Sequence, residues 1–107
     1  MLWLPRFETG MFEIAFTPEA IEDLRCFKKV ERKQIIAELE SQLSYEPAIE
    51  TRKRKRLRPN KLAEWELRLN RFRVFFDIDP ENRLIKVEAV GYKRGSRLFI
   101  HGKEYEL

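Results

Sequence analysis

Between Glu64 and Val90 the chain alternates apolar and polar residues almost without interruption. Residues 64–69 (EWELRL) set Trp65, Leu67 and Leu69 on one side and Glu66 and Arg68 on the other. Residues 72–79 (FRVFFDID) set Phe72, Val74, Phe76 and Ile78 on one side, opposite Arg73, Phe75 and Asp77. Residues 83–90 (RLIKVEAV) place Ile85, Val87 and Ala89 inside and Lys86 and Glu88 outside. A period of two is the signature of a strand with one face in a core. Asn70-Arg71 makes a tight hairpin, because asparagine tolerates positive φ, and Pro80-Glu81-Asn82 makes a second turn. The segment 91–96 (GYKRGS) reads as a glycine-bounded loop before a last short strand at 97–101 (RLFIH).

The first half follows a different rule. Residues 12–16 (FEIAF) alternate and predict a strand. Thr17-Pro18-Glu19 is a helix start, with threonine as N-cap and proline at the first position, where its missing N–H costs nothing. Ile21, Leu24 and Phe27 or Lys28 recur at helical spacing over residues 18–28. After a break near Lys29–Glu31, a second helix carries Ile35, Ile36, Leu39 and Leu43 as one apolar stripe. The basic stretch 51–58 has no period, and Pro59-Asn60 breaks any regular element, so a loop is expected there. The predicted fold class is α+β, in the order β-α-α-β-β-β-β: an N-terminal strand, a two-helix hairpin, then a curved antiparallel sheet with both helices on one face.

Composition excludes several classes of function. The 107 residues suit one domain. Cys26 and His101 are each the only residue of their kind, which argues against an internal disulfide, a cysteine metal cluster, histidine-pair metal sites and a two-histidine ribonuclease mechanism. No cofactor is expected. A reducing, cytoplasmic setting fits this cysteine usage, and no apolar run approaches the ~18 residues of a membrane span. Residues 1–10 (MLWLPRFETG) carry Pro5, Arg6 and Glu8 too early for a secretory signal. They are expected to be an extension upstream of a domain spanning residues 11–107, with Met11 as an alternative start, or else a segment that packs on the sheet edge through Trp3 and Leu4.

The net charge of +4 is distributed unevenly. Residues 51–61 (TRKRKRLRPNK) hold seven basic groups and no acid, whereas residues 1–50 hold six basic and ten acidic groups. So concentrated a patch attracts a phosphate backbone or an acidic protein segment. Arg68 and Arg73, on the face that the helices leave uncovered, and Lys93-Arg94 extend it. Arginine suits phosphate because its planar fork donates two parallel hydrogen bonds. Phe75, on that face, offers a ring for a base to stack on. The alternative reading is that Arg68–Glu66 and Arg73–Asp77 are solvated pairs on an open sheet. Arg97 is read equally as part of the patch or as a strand-edge charge, Trp65 as core, Cys26 as a small core or boundary residue, and His101 as a polar-face residue or a catalytic one.

Three segments, FTPEAIEDLRCF, WELRLNRFRVFFDID and IKVEAVGYKRGSRLFIHG, in this order and spacing, resemble the RelE/ParE superfamily of bacterial toxins. The resemblance runs from about Met11 to Leu107. It implies the toxin of a type II toxin–antitoxin system, with a cognate antitoxin as partner in a hetero-oligomer. RelE-like relatives imply a ribosome-dependent, metal-independent mRNA endonuclease acting on ribosome-bound mRNA and touching rRNA; ParE-like relatives imply a non-enzymatic gyrase poison. A homologue that binds RNA without cutting it is a third reading.

For cleavage, the 2′-hydroxyl attacks phosphorus, so its proton, the extra negative charge and the leaving 5′-oxygen must each be served. The resemblance places Arg68, Arg73 and Lys93 or Arg94 in the catalytic set. Arg52, Lys53, Arg54, Lys55, Arg56 and Arg58 are expected to bind RNA, together with Phe75, Tyr92 and Phe99. Phe99 stands where relatives often have tyrosine; phenylalanine stacks but transfers no proton, and Tyr92 is a candidate replacement. Glu66 stands where some relatives have lysine and is a candidate general base.

Overall fold

The computed structural model describes residues 11–107, so the expected segment boundary at Met11 and the packing of Trp3 and Leu4 lie outside the described residues. The chain runs β1 (Glu13–Phe16), α1 (Pro18–Arg25), α2 (Lys29–Leu43), β2 (Arg54–Arg56), β3 (Trp65–Leu69), β4 (Phe72–Asp79), β5 (Leu84–Arg94), β6 (Arg97–Ile100) and β7 (Lys103–Glu104). The expected α+β order holds. Two short strands, β2 and β7, are added to it.

Strands β2 to β7 pair in sequence order, each antiparallel to the next. β1, whose pairing the sequence leaves open, lies parallel to the first half of β5, from Glu13 beside Leu84 to Phe16 beside Val87. The eleven residues of β5 make this possible: the first half takes β1 and the second half takes β6. β5 therefore continues through the expected 91–96 loop, and only Gly95-Ser96 turns. At Gly95 φ is +62°, a conformation for which glycine has no steric penalty.

Both helices cover one face of the sheet. α1 starts as predicted, with the Thr17 hydroxyl oxygen accepting from the Ala20 N–H at 3.1 Å and donating to the Glu88 carbonyl at 3.2 Å. It buries Ala20, Asp23 and Leu24, while Ile21 faces solvent. α2 buries Ile35, Leu39 and Leu43, so the expected stripe is narrower than its sequence period, and Ile36 is exposed. These side chains meet Trp65, Leu67, Leu69, Phe72, Val74, Phe76, Ile85, Val87 and Val90 in the main core.

The opposite face was expected to be open, and half of it is covered. Phe75, Ala89, Leu98, Ile100 and Ala63 form a second core, closed by Leu57, Leu62 and Tyr105. The 57–63 loop, β6 and the C-terminal segment supply the cover. Alternation had placed Phe75 on the correct face, but it cannot show what later chain folds over that face. A bulge contributes as well: Phe75 pairs with Ala89 and Phe76 with Val87, leaving Glu88 as the extra residue.

Candidate nucleic-acid interface

Only the middle of the basic run, Arg54–Arg56, departs from the expected loop and forms a strand. Arg54, Lys55 and Arg56 pair with Leu67, Glu66 and Trp65, and the Arg68 N–H donates to the Lys53 carbonyl at 2.8 Å. Pairing imposes alternation on a run that has none in its own composition. Arg54 turns to the helix side, where its Nη1 donates to the carbonyls of Gln42 (3.0 Å) and Glu46 (2.9 Å) beyond the end of α2. A cation here meets the negative end of the helix dipole and its unpaired carbonyls. Arg56 lies 5.8 Å from the Trp65 ring centre and 3.8 Å from Glu64. Lys53 and Lys55 stay exposed, in register with Arg68 and Glu66 of β3. Arg52 and Arg58 are also exposed, outside β2.

Arg68 and Arg73 are directly opposed across the β3–β4 hairpin, whose turn holds Asn70 at φ +55°, as expected. Like charges in register repel, so this arrangement needs an offset. Glu66 supplies part of it: its carboxylate accepts from Arg68 Nε at 3.1 Å. Glu66 is only 5% exposed, because it sits in register with the covered Phe75, and so it does not stand on an open face.

Arg73 is half-buried. Its Nη1 donates to the carbonyls of Asn70 (2.6 Å) and Phe72 (2.8 Å), while its Nε is buried with no hydrogen-bond partner. Among the described residues it forms no ion pair, including the one expected with Asp77, whose carboxylate accepts from the Glu64 N–H at 2.8 Å instead. Burial pulls the Arg73 pKa below its ordinary value; Glu66 opposes this and Arg68 adds to it. Such a guanidinium is a preorganised, desolvated donor, and an arriving anion would relieve it.

Register also separates Lys93 from Arg94. Arg73 pairs with Gly91, so Lys93, two residues on, shares the Arg73 face and Arg94 takes the other. The backbone of β6 passes close to Gly91: a Cβ there would collide with the Phe99 carbonyl oxygen and lie 2.9 Å from Ile100 Cγ1. Lys53, Lys55, Arg68, Arg73 and Lys93 thus gather at the hairpin end of one face. Phe75 leaves the set, since its ring is fully buried. Base stacking is worth about 1–3 kcal/mol, which does not exceed the roughly 3–5 kcal/mol scale of emptying a phenylalanine site.

Tyr92 and Phe99 lie on the other side of the sheet, stacked at 5.4 Å with rings 13° apart. They line an open cleft of about 610 Å³ beside the end of α1, together with Asp23, Arg71, Arg94 and His101. The sequence reading missed the contact that shapes this cleft, in which His101 Nδ1 meets Asp23 Oδ1. A signal for it existed: Asp23 falls on the buried stripe of α1 beside Ala20 and Leu24, and a carboxylate there needs a partner.

Neither the protein-family models nor the sequences of curated proteins match this chain. Among solved structures, it is similar to a chain in the crystal structure of the toxin–antitoxin complex RelBE2 from Mycobacterium tuberculosis, with a TM-score of 0.68 and 23% identity. The match covers 78% of this chain and 92% of that one. This chain has a RelE-type fold. The expected architecture is thereby established, and function rests on the residues that the fold carries. Among the described residues no helix is long and apolar enough to cross a membrane.

Proposed function

We propose that this chain is the toxin of a type II toxin–antitoxin system and that it cleaves mRNA on the ribosome through the hairpin end of its basic sheet face. The observation that carries this reading is Arg73: a partly desolvated guanidinium, unpaired by any carboxylate among the described residues and opposed in register by Arg68. Two arginines so placed stabilise the negative charge that builds on phosphorus as the 2′-hydroxyl attacks and the bond to the 5′-oxygen breaks, leaving a 2′,3′-cyclic phosphate; water takes the 2′-hydroxyl proton and protonates the departing 5′-oxygen. Glu66 holds the Arg68 fork in place. Lys53, Lys55 and Lys93 hold the RNA backbone on either side, and rRNA orients the message. The partner protein is an antitoxin with an acidic or amphipathic segment that covers this face, a role supported by the toxin–antitoxin complex in which the similar fold occurs.

The test is tightly controlled expression, following incorporation of labelled amino acids and thymidine, with primer extension on a reporter mRNA. Early loss of translation with codon-spaced cuts is expected. Loss of DNA synthesis first, with intact mRNA, would overturn the nuclease reading in favour of a gyrase poison.

A further inference from the structure

The cleft on the helix side of the sheet is separate from the Arg68–Arg73 face. The Asp23 carboxylate is buried, with 3% of its side chain exposed, and both its oxygens are engaged. Oδ2 accepts from the Val90 N–H at 2.9 Å, and Oδ1 meets His101 Nδ1. Burial pushes the Asp23 pKa up, opposed by the Val90 N–H and by His101, and Glu19 adds to the rise. The imidazole is 46% exposed and lines the cleft. A ring held through Nδ1 keeps Nε2 for another partner.

The backbone fixes where the His101 ring sits. His101-Gly102 is the two-residue turn between β6 and β7, with φ of +56° and +75°. Glycine or asparagine is the low-energy choice at such a position. Histidine is also among the residues that tolerate it, so the turn sets the ring at the cleft without a large backbone cost.

The rest of the cleft is suited to one kind of ligand. Tyr92 and Phe99 give the cleft an aromatic side, their rings stacked on each other. Arg71 sits 4.4 Å from the Phe72 ring centre and 5.7 Å from that of Tyr92, anchored to Glu31 at 2.9 Å. Arg94 is exposed at the rim. We propose that this cleft is a second site, one that binds a nucleoside monophosphate unit, with its base against Tyr92 and Phe99 and its phosphate between Arg71, Arg94 and the Asp23-oriented His101. The unit is either a free nucleotide or one residue of single-stranded RNA. In the latter case the site extends the RNA reading above to the far side of the β5–β6 edge.

His101 is the chain's only histidine, so its ring gives an unambiguous NMR signal. The full chain is titrated with adenosine monophosphate, with inorganic phosphate and with a single-stranded oligoadenylate. A saturable His101 shift with the nucleotide, absent with phosphate at equal concentration, is expected. Saturation at lower concentration with the oligomer identifies RNA as the source of the unit; equal or weaker binding identifies the free nucleotide. Arg94→Glu should weaken nucleotide binding about tenfold, the scale of one lost charge-assisted hydrogen bond, whereas Arg68→Glu on the opposite face should leave it unchanged. His101→Asn keeps a turn-compatible residue that can donate to Asp23, and it should still weaken binding. The proposal is overturned if the ring does not shift, if phosphate alone reproduces the shift, if the effect follows Arg68 rather than Arg94, or if His101→Asn binds as well as wild type. None of these readouts requires cleavage or a ribosome, so failure here is distinct from failure of the nuclease reading.

Discussion

The two ends of one sheet face have opposite character. Toward the β3–β4 turn, the face carries Lys53, Lys55, Arg68, Arg73 and Lys93. Beyond Phe75 it carries Asp77 and Glu88, with Lys86 3.5 Å from Glu88. The second core around Phe75, Ala89 and Leu98 separates them. Both ends hold a charge that burial disfavours: burial pulls Arg73 down and pushes Glu88 up, and a hydrogen bond that the protonated Glu88 donates to the neighbouring Asp77 raises Glu88 further. What differs is the remedy. The acidic end is answered in part internally, Lys86 opposing the rise at Glu88 and the Glu64 N–H donating to Asp77. The basic end keeps a buried Nε unpaired and cations in excess. Charge left unresolved by a fold is the better pointer to a partner.

The sharpest way to break this comparison is Arg73→Ala. It should lower mRNA cutting by ~100-fold or more, the scale of removing one preorganised donor to a developing anion, with circular dichroism unchanged. Undiminished cutting would remove Arg73 from the site. Arg54→Ala tests whether one basic residue in the run differs in kind from its neighbours. Its guanidinium also has a buried, unpartnered Nε, but its Nη1 closes the end of α2. The expected result is a loss of about 1.5–3 kcal/mol in urea unfolding, the scale of hydrogen bonds from a charged group, with the salt dependence of RNA binding retained. A shallower salt slope at unchanged stability would return Arg54 to the RNA-binding set.

That contrast between Arg54 and Lys53 marks the limit of what the sequence shows. Alternation through Trp65–Val87 disclosed the central strands, their faces and the Asn70 turn because side-chain period is a local property; past the bulge at Glu88 it failed, since Ala89, expected inside with Val87, lies in the second core and Val90 takes its place in the main one. The Thr17-Pro18 start of α1 was legible for the same reason. The run 52–58 was not, since it has no apolar residue every second position to reveal a strand. Its alternation exists only because β3 offers an edge to pair with. Phe75 and Glu66 were placed on the correct face and wrongly supposed open, because their cover comes from the 57–63 loop and β6, distant in sequence. The Asp23–His101 contact joins residues 78 positions apart, and only the buried position of a carboxylate hinted at it.

Lys53→Ala with Lys55→Ala measures the basic end more gently. Each lysine lost from a phosphate contact should flatten the plot of log affinity against log salt by about 0.7 for single-stranded RNA, without altering stability. An unchanged slope would mean that Lys53 and Lys55 are a solvated edge and that the interface is confined to Arg68, Arg73 and Lys93.

The smallest effect belongs to the acidic end. Folding raises the Glu88 pKa above its ordinary 4.5, so the folded state binds that proton more tightly than the unfolded chain. The stability contributed by this group is present at low pH and is lost as pH rises past 4.5 and through the raised value. Glu88→Gln removes that slope while keeping a polar side chain beside Asp77 and Lys86. The variant should therefore be more stable than wild type at pH 7, by on the order of 0.5 kcal/mol for a partly solvated site, and the gap should close on acidification toward pH 4. A thermal-melt series from pH 4 to 7 reads this directly. A constant gap would mean that Lys86 just offsets the burial of Glu88, and a gap that widens toward acid that it more than offsets it; in either case the acidic end would be answered within the fold and the basic end alone would be left in need of a partner.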